Sequence, residues 1–181
     1  MSFLSDNGVF SKDKIDYGSS LLVESIIKNK TQEYNNILDV GCGYGFMGIT
    51  LAKMLNTDVT LTDVNKRALH LAFQNAKDNK VKYKVIESNC YENIKEKYSL
   101  IISNPPIRAG KEIVLNILMQ AKDYLSSDGE LWFVMRKNQG VKSTIKHIEN
   151  VYMCEIIEKS KGFYIIKAKK RWQEKINALK L

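Results

Sequence analysis

Short β-rich runs alternate with helical patterns along most of this chain, and that alternation restricts the fold more than any single residue does. Strand-like runs fall at 35–40, 58–64, 82–88, 98–103 and 130–136, and two more close the chain near 152–158 and 163–169. Helical spacing fills the intervals at 46–56, at 66–78 with Asn65 as its N-cap, at 111–125 up to the turn Ser126-Ser127-Asp128-Gly129, and near 138–149. Within 66–78 the stripe Ala68, Leu69, Ala72, Phe73 and Ala76 is expected to face inward. Right-handed crossovers place helices on both faces of a parallel sheet. The fold class is therefore α/β, an open, doubly wound, mostly parallel seven-stranded sheet. The last two runs are joined by only about four residues, Lys159-Ser160-Lys161-Gly162, too few for a crossover, so they form an antiparallel hairpin at one edge. Its 181 residues suit one domain. Residues 1–34 form an N-terminal segment and helix, 35–170 the core, and 171–181 a basic tail.

Composition removes several classes. No apolar run approaches the roughly 20 residues that span a bilayer, and the N-terminus lacks a signal-peptide pattern, so a cytoplasmic protein is expected. Cys42, Cys90 and Cys154 are odd in number and never form a Cys-x-x-Cys pair, and His70 and His147 are isolated, so neither disulfides nor a metal site is expected. The net charge of +8 is uneven, with eight basic residues against one acid from Lys159 onward. A polyanion would be drawn to that end, and Lys167, Lys169, Lys170 and Arg171 are its candidate contacts. A solvated, lysine-protected edge strand accounts for the same charge.

Parallel sheets bind ligands beyond the carboxyl ends of their strands. After the first strand comes Asp39-Val40-Gly41-Cys42-Gly43-Tyr44-Gly45, a glycine-rich turn that lets a ligand approach the backbone. Its third glycine is one place early for a nicotinamide dinucleotide site, and Asp39 suits a cation better than a pyrophosphate. Asp63 ends the second strand about 20 residues beyond the turn, where a carboxylate takes ribose hydroxyls; capping the next helix is its other role. Asn89, after the third strand, can meet an adenine amine. The fourth strand stops at Asn104-Pro105-Pro106-Ile107, which holds the chain's only two prolines. These lack N–H donors, so the Asn104 amide oxygen and a neighbouring carbonyl can accept both hydrogens of a planar NH2 and turn its lone pair toward an electrophile.

Together the glycine turn, Asp63 and Asn104-Pro105-Pro106-Ile107 resemble class I S-adenosylmethionine-dependent methyltransferases that modify exocyclic or amide nitrogen. The segments Gly8 to Asp13, Ile15 to Leu22 and Pro106 to Lys111 extend the resemblance to the ribosomal RNA small-subunit guanine-N2 methyltransferases, over about residues 8–170. Members with two domains carry a degenerate domain before the catalytic one, so the likeness is to single-domain relatives. Ile107 replaces the aromatic residue of adenine-N6 and glutamine-N5 enzymes.

The resemblance implies S-adenosylmethionine across the glycine turn, with Asp39 near the methionine amine, Asp63 on the ribose and Asn89 near the adenine. Asn104 and the Pro105 carbonyl would hold the guanine amine, Phe10 would pack on the base, and Arg108, with Lys111, would reach phosphate. The expected partner is RNA, ribosomal in the first instance, with no metal. Alternatives are methylation of a protein glutamine or of adenine N6, and an RNA-binding assembly factor without catalysis.

Overall fold

The computed structural model describes residues 1–6, 16–106, 108 and 110–171. It contains one seven-stranded sheet in the order β3-β2-β1-β4-β5-β7-β6. Its strands are β1 (Asn36–Val40), β2 (Asp58–Asp63), β3 (Tyr83–Glu87), β4 (Tyr98–Ser103), β5 (Leu125–Arg136), β6 (Tyr152–Ser160) and β7 (Phe163–Lys170). The helices are α1 (Tyr17–Asn29), α2 (Phe46–Leu55), α3 (Lys66–Asp78), α4 (Lys111–Tyr124) and α5 (Val141–Ile148). Strands β1 to β5 are mutually parallel, and β7 runs antiparallel between β5 and β6, leaving β6 outermost.

Alternation along each strand divides the core in two. Ile37, Leu61, Leu100, Trp132 and Ile165 pack with α1 and α2 on one face. Leu38, Ile101, Phe133 and Ile166 pack with α4 and α5 on the other. A buried polar network closes the foot of β5. Glu130 accepts from Tyr34 Oη at 2.5 Å and Trp132 Nε1 at 2.9 Å, and Lys169 lies 2.9 Å from its other oxygen. Burial pushes the Glu130 carboxyl up, but these three donors hold it below its ordinary value.

Four local expectations change. Leu125 is fully buried beside Tyr98, so α4 gives way directly to β5. Residues 126–129 then bulge between the pairs Tyr98 with Leu125 and Leu100 with Glu130, in place of a separate turn. Gly140, at φ 78°, breaks the expected helix from 138 into a 3-10 turn (Lys137–Gln139) and α5. On α3, Phe73 is 44% exposed and packs edge-on against Tyr83, while Leu71 and Asn75 join the buried stripe. The closing hairpin turns through two residues, Lys161 and Gly162, both with positive φ, because β6 continues to Ser160.

Candidate active site

The carboxyl ends of the neighbouring parallel strands β3, β2, β1 and β4 are stitched to one another by hydrogen bonds. The amides of Gly41 and Cys42 donate to the Thr62 carbonyl, and Gly43 N donates to Asp63 Oδ2 at 2.9 Å. Ser88 N donates to the Asp63 carbonyl, and Ser103 Oγ donates to the Val40 carbonyl at 2.9 Å. Gly41, Gly43 and Gly45 all have positive φ, which side-chain-bearing residues adopt only at a cost. Asp39, Asp63, Asn89 and Asn104 thus lie in or just after the carboxyl ends of four neighbouring strands.

Asp39 is fully buried, and its Oδ2 accepts from Gly48 N at 2.9 Å. A Cβ at Gly48 would stand 2.9 Å from that oxygen and 2.8 Å from Leu61, so only glycine lets α2 come this close. Asp39 Oδ1 has no hydrogen-bond partner. Burial, opposed in part by the Gly48 hydrogen bond and reinforced by Asp63, pushes the carboxyl up to about 7. The Cys42 thiol is raised by burial and then by Asp39 and Asp63, which keeps it protonated and unreactive. Tyr44 is raised by burial and by Asp16. Burial dominates all three shifts; the acids Asp16, Asp39 and Asp63 add a smaller part, and their charge at this edge favours a cation over phosphate.

Asp63 accepts from Gly43 N of the glycine turn through Oδ2 and from Asn65 N through Oδ1, each at 2.9 Å. Asn65 itself caps α3. Asn89 is exposed and lines a cleft of about 350 Å³ with Cys90, Glu92, Ile113, Asn116 and Gln120. Asn104 is half-buried, Pro105 buried, and Pro106 and Arg108 exposed. Phe10 and Ile107 lie outside the described residues.

Two residues at this edge had no assigned role in the sequence. Asn104 Nδ2 donates to Asp16 Oδ2 at 3.0 Å and to Ser19 Oγ at 2.9 Å, while Asp16 also caps α1 by accepting from Ser19 N. A carboxylate only accepts, so the amide nitrogen must face Asp16. Both hydrogens of Asn104 are thereby used, and its Oδ1 is turned away from α1 as an acceptor. The pattern Asp-x-x-Ser at a helix start was the available signal.

The proposed polyanion contacts are not brought to this edge. Because β7 runs away from the site, Lys169 and Lys170 reach the opposite end of the sheet. Lys167 pairs with Glu155 at 3.3 Å, Lys169 with Glu130, Lys170 donates to the Leu125 carbonyl, and Arg171 donates to the Glu149 carbonyl. Among the described residues no group of three or more His, Cys, Asp or Glu side chains is placed to hold a metal, and no helix is long and apolar enough to cross a membrane.

Comparison with known proteins gives the family. The "Uncharacterized protein YbxB" of Bacillus subtilis is 41% identical over 174 residues, covering 93% of this chain and 86% of that one. Ribosomal RNA small subunit methyltransferase C of Buchnera aphidicola is 39% identical over 132 residues, covering 70% of this chain but 38% of its own length. The chain thus spans well under half of that relative. Among solved structures, the T. thermophilus 16S rRNA N2 G1207 methyltransferase in complex with AdoMet and guanosine superposes with a TM-score of 0.80 at 21% identity, over 91% of this chain and 46% of that one. A ribosomal protein L11 methylase from Lactobacillus delbrueckii gives 0.75 at 20% identity, over 86% and 80%. Both likenesses concern the fold. The model of the methyltransferase small domain matches residues 1–167, and with a stitched strand edge, an orphaned buried carboxylate oxygen and a clamped asparagine in place, the chain belongs to that family of S-adenosylmethionine-dependent methyltransferases.

Proposed function

We propose that this protein methylates the exocyclic N2 of a guanine in ribosomal RNA. The observation that carries the reading is the clamped Asn104, whose two amide hydrogens are held by Asp16 and Ser19 so that Oδ1 is presented as an acceptor at the end of β4. Relatives named ribosomal RNA small subunit methyltransferase C, aligned over 70% of the chain, support the substrate class.

The residues fit the cofactor. Asp39 Oδ1, buried and without a partner, would take the ammonium of the methionine moiety, Asp63 the ribose hydroxyls and Asn89 the adenine edge. When bound, S-adenosylmethionine supplies an electrophilic methyl on a positive sulfonium, which the site's negative potential favours. The protein's part is positioning. Asn104 Oδ1 and the Pro105 carbonyl would accept the two hydrogens of the guanine amine and aim its lone pair at that methyl, so that the carbon–sulfur bond would break as the nitrogen–carbon bond forms and one amine proton would pass to water. Arg108 reaches phosphate. No side chain is required as a covalent nucleophile, in accord with the raised Cys42 thiol.

The test is transfer of labelled methyl from S-adenosylmethionine to small-subunit RNA, to assembled particles and to total protein, followed by nucleoside mass spectrometry. N2-methylguanosine is the expected product. Label in protein or in N6-methyladenosine overturns the assignment.

A further inference from the structure

The antiparallel course of β7 that removes Lys169 and Lys170 from the site brings the other end of the same hairpin to it. Phe163 pairs with Arg136, three positions beyond the Phe133 that lies opposite Ser103, so the β6–β7 turn stands at the Asn104 edge. Lys137 N donates to the Gly162 carbonyl at 2.8 Å and ties the end of β5 to that turn. Tyr17 shares a hydrogen bond of 2.8 Å with Ser160 and follows directly on Asp16, the residue that clamps Asn104. The turn is therefore two contacts from the proposed amine acceptor.

Four exposed cations gather here, Arg136, Lys137, Lys159 and Lys161. Three of them stand over aromatic rings: Arg136 is 4.8 Å from the centroid of Phe163, Lys161 is 4.7 Å from Tyr17 and Lys159 is 5.2 Å from Tyr164. Among the described residues none of the four is ion-paired, whereas Lys167 and Lys169, farther along β7, both are. Ring contacts orient a cation without neutralising it, so the charge stays available to an anion. The acid nearest the turn in sequence, Glu158, is half-buried opposite Ile165. Mixed cations and rings beside a proposed acceptor for a base amine are the chemistry that holds a nucleic acid backbone while a nucleotide is turned inward.

We propose that this turn, with Arg136, Lys137, Lys159 and Lys161 around Tyr17 and Phe163, is the surface that grips the phosphodiester backbone of the RNA whose base enters the Asn104 pocket. The proposal rests on the RNA reading given above. It replaces the cluster Lys167, Lys169, Lys170 and Arg171 as the seat of polyanion binding.

The test measures binding of a fluorescent single-stranded oligoribonucleotide of mixed sequence from 50 to 200 mM salt, for the full chain and for Arg136→Ala/Lys137→Ala/Lys159→Ala/Lys161→Ala. With about 0.7 counterion released per phosphate contact on a single strand, four lost contacts flatten the log–log salt slope by roughly 3. Over that range the unmodified chain should then lose roughly 50-fold more affinity than the variant. Cofactor affinity, which does not involve these residues, reports folding. Should the quadruple variant fail to fold, Lys159→Ala and Lys161→Ala singly are each expected to lower the slope by about 0.7. An unchanged slope, no RNA binding by the unmodified chain, or a slope that responds to Lys170→Ala instead overturns the proposal. A slope that depends on the turn without any N2-methylguanosine would leave the docking surface standing and remove the guanine reading. N2-methylguanosine with an unchanged slope would do the reverse.

Discussion

Replacing Asp39 with Asn should stabilise the cofactor-free protein and weaken cofactor binding. The carboxyl is fully buried, is raised by that burial from 3.8 to about 7, and leaves Oδ1 without a partner. Each tenfold change in an acid constant is worth about 1.4 kcal/mol, so ionising Asp39 in the folded state costs about 4 kcal/mol above pH 7. The folded form holds more protons than the unfolded form between pH 4 and 7, so stability falls as pH rises through that window. The penalty is absent below about pH 3.8, about 1.5 kcal/mol at pH 5 and complete above pH 7. Asn carries no such penalty at any pH. Urea denaturation of Asp39→Asn and the unmodified protein at pH 5 and pH 8, without cofactor, should show the variant's relative stability rising by about 2.5 kcal/mol, roughly a molar in midpoint. Comparison at two pH values cancels any fixed cost of the amide. Calorimetric affinity for S-adenosylmethionine at pH 8 should fall at least tenfold, roughly the loss of one charge-assisted contact. A stability difference that is the same at both pH values would refute the reasoning.

Other perturbations test separate parts of the structure. Asn104→Ala should abolish methyl transfer and leave cofactor affinity within a few-fold, read by labelled product and calorimetry; retained activity removes its role. Asp16→Ala should lower kcat roughly tenfold or more by loosening Asn104, while loss of the α1 cap costs about 1 kcal/mol of stability; an unchanged kcat would show that the clamp does no work. Tyr34→Phe takes one donor from buried Glu130 and should cost about 1–3 kcal/mol in urea at pH 7. Glu130 is held below its ordinary value, so its contribution is present above about pH 4.5 and is lost as pH falls through the lowered value. Acid unfolding of Tyr34→Phe, followed by the fluorescence of neighbouring Trp132, should therefore begin at higher pH; an identical acid midpoint would count against the network.

The stitched strand edge was legible because its signals are local. Strand ends can be found from hydropathy, and Gly41 to Gly45, Asp63 and Asn104 each follow one. What escaped was fixed by tertiary geometry. Asp16 and Asn104 are 88 residues apart, and only the packing of α1 against α2 and β5 makes them partners. The charge of the closing hairpin was visible, but its sign carries no direction. Which lysines meet the site depends on β7 lying antiparallel between β5 and β6. Ser126 to Gly129 has the composition of a turn, yet burial of Leu125 beside Tyr98 draws it into the sheet as a bulge.

Asn75 is buried on α3, and its amide serves three masters. It accepts from Leu4 N at 2.7 Å, donates to the Leu4 carbonyl at 2.9 Å and donates to the carbonyl of Tyr44 at 2.8 Å. Asn79, one turn later, holds the Ser2 carbonyl at 2.8 Å. The first residues of the chain are thus wired through one side chain to the glycine turn proposed to receive the methyl donor. Trimming them would strand a buried amide, and its relief would be sought by moving Tyr44. A pull on the first residues is therefore borne by the glycine turn, whereas a pull at the Lys170 end of β7 acts on the opposite end of the sheet.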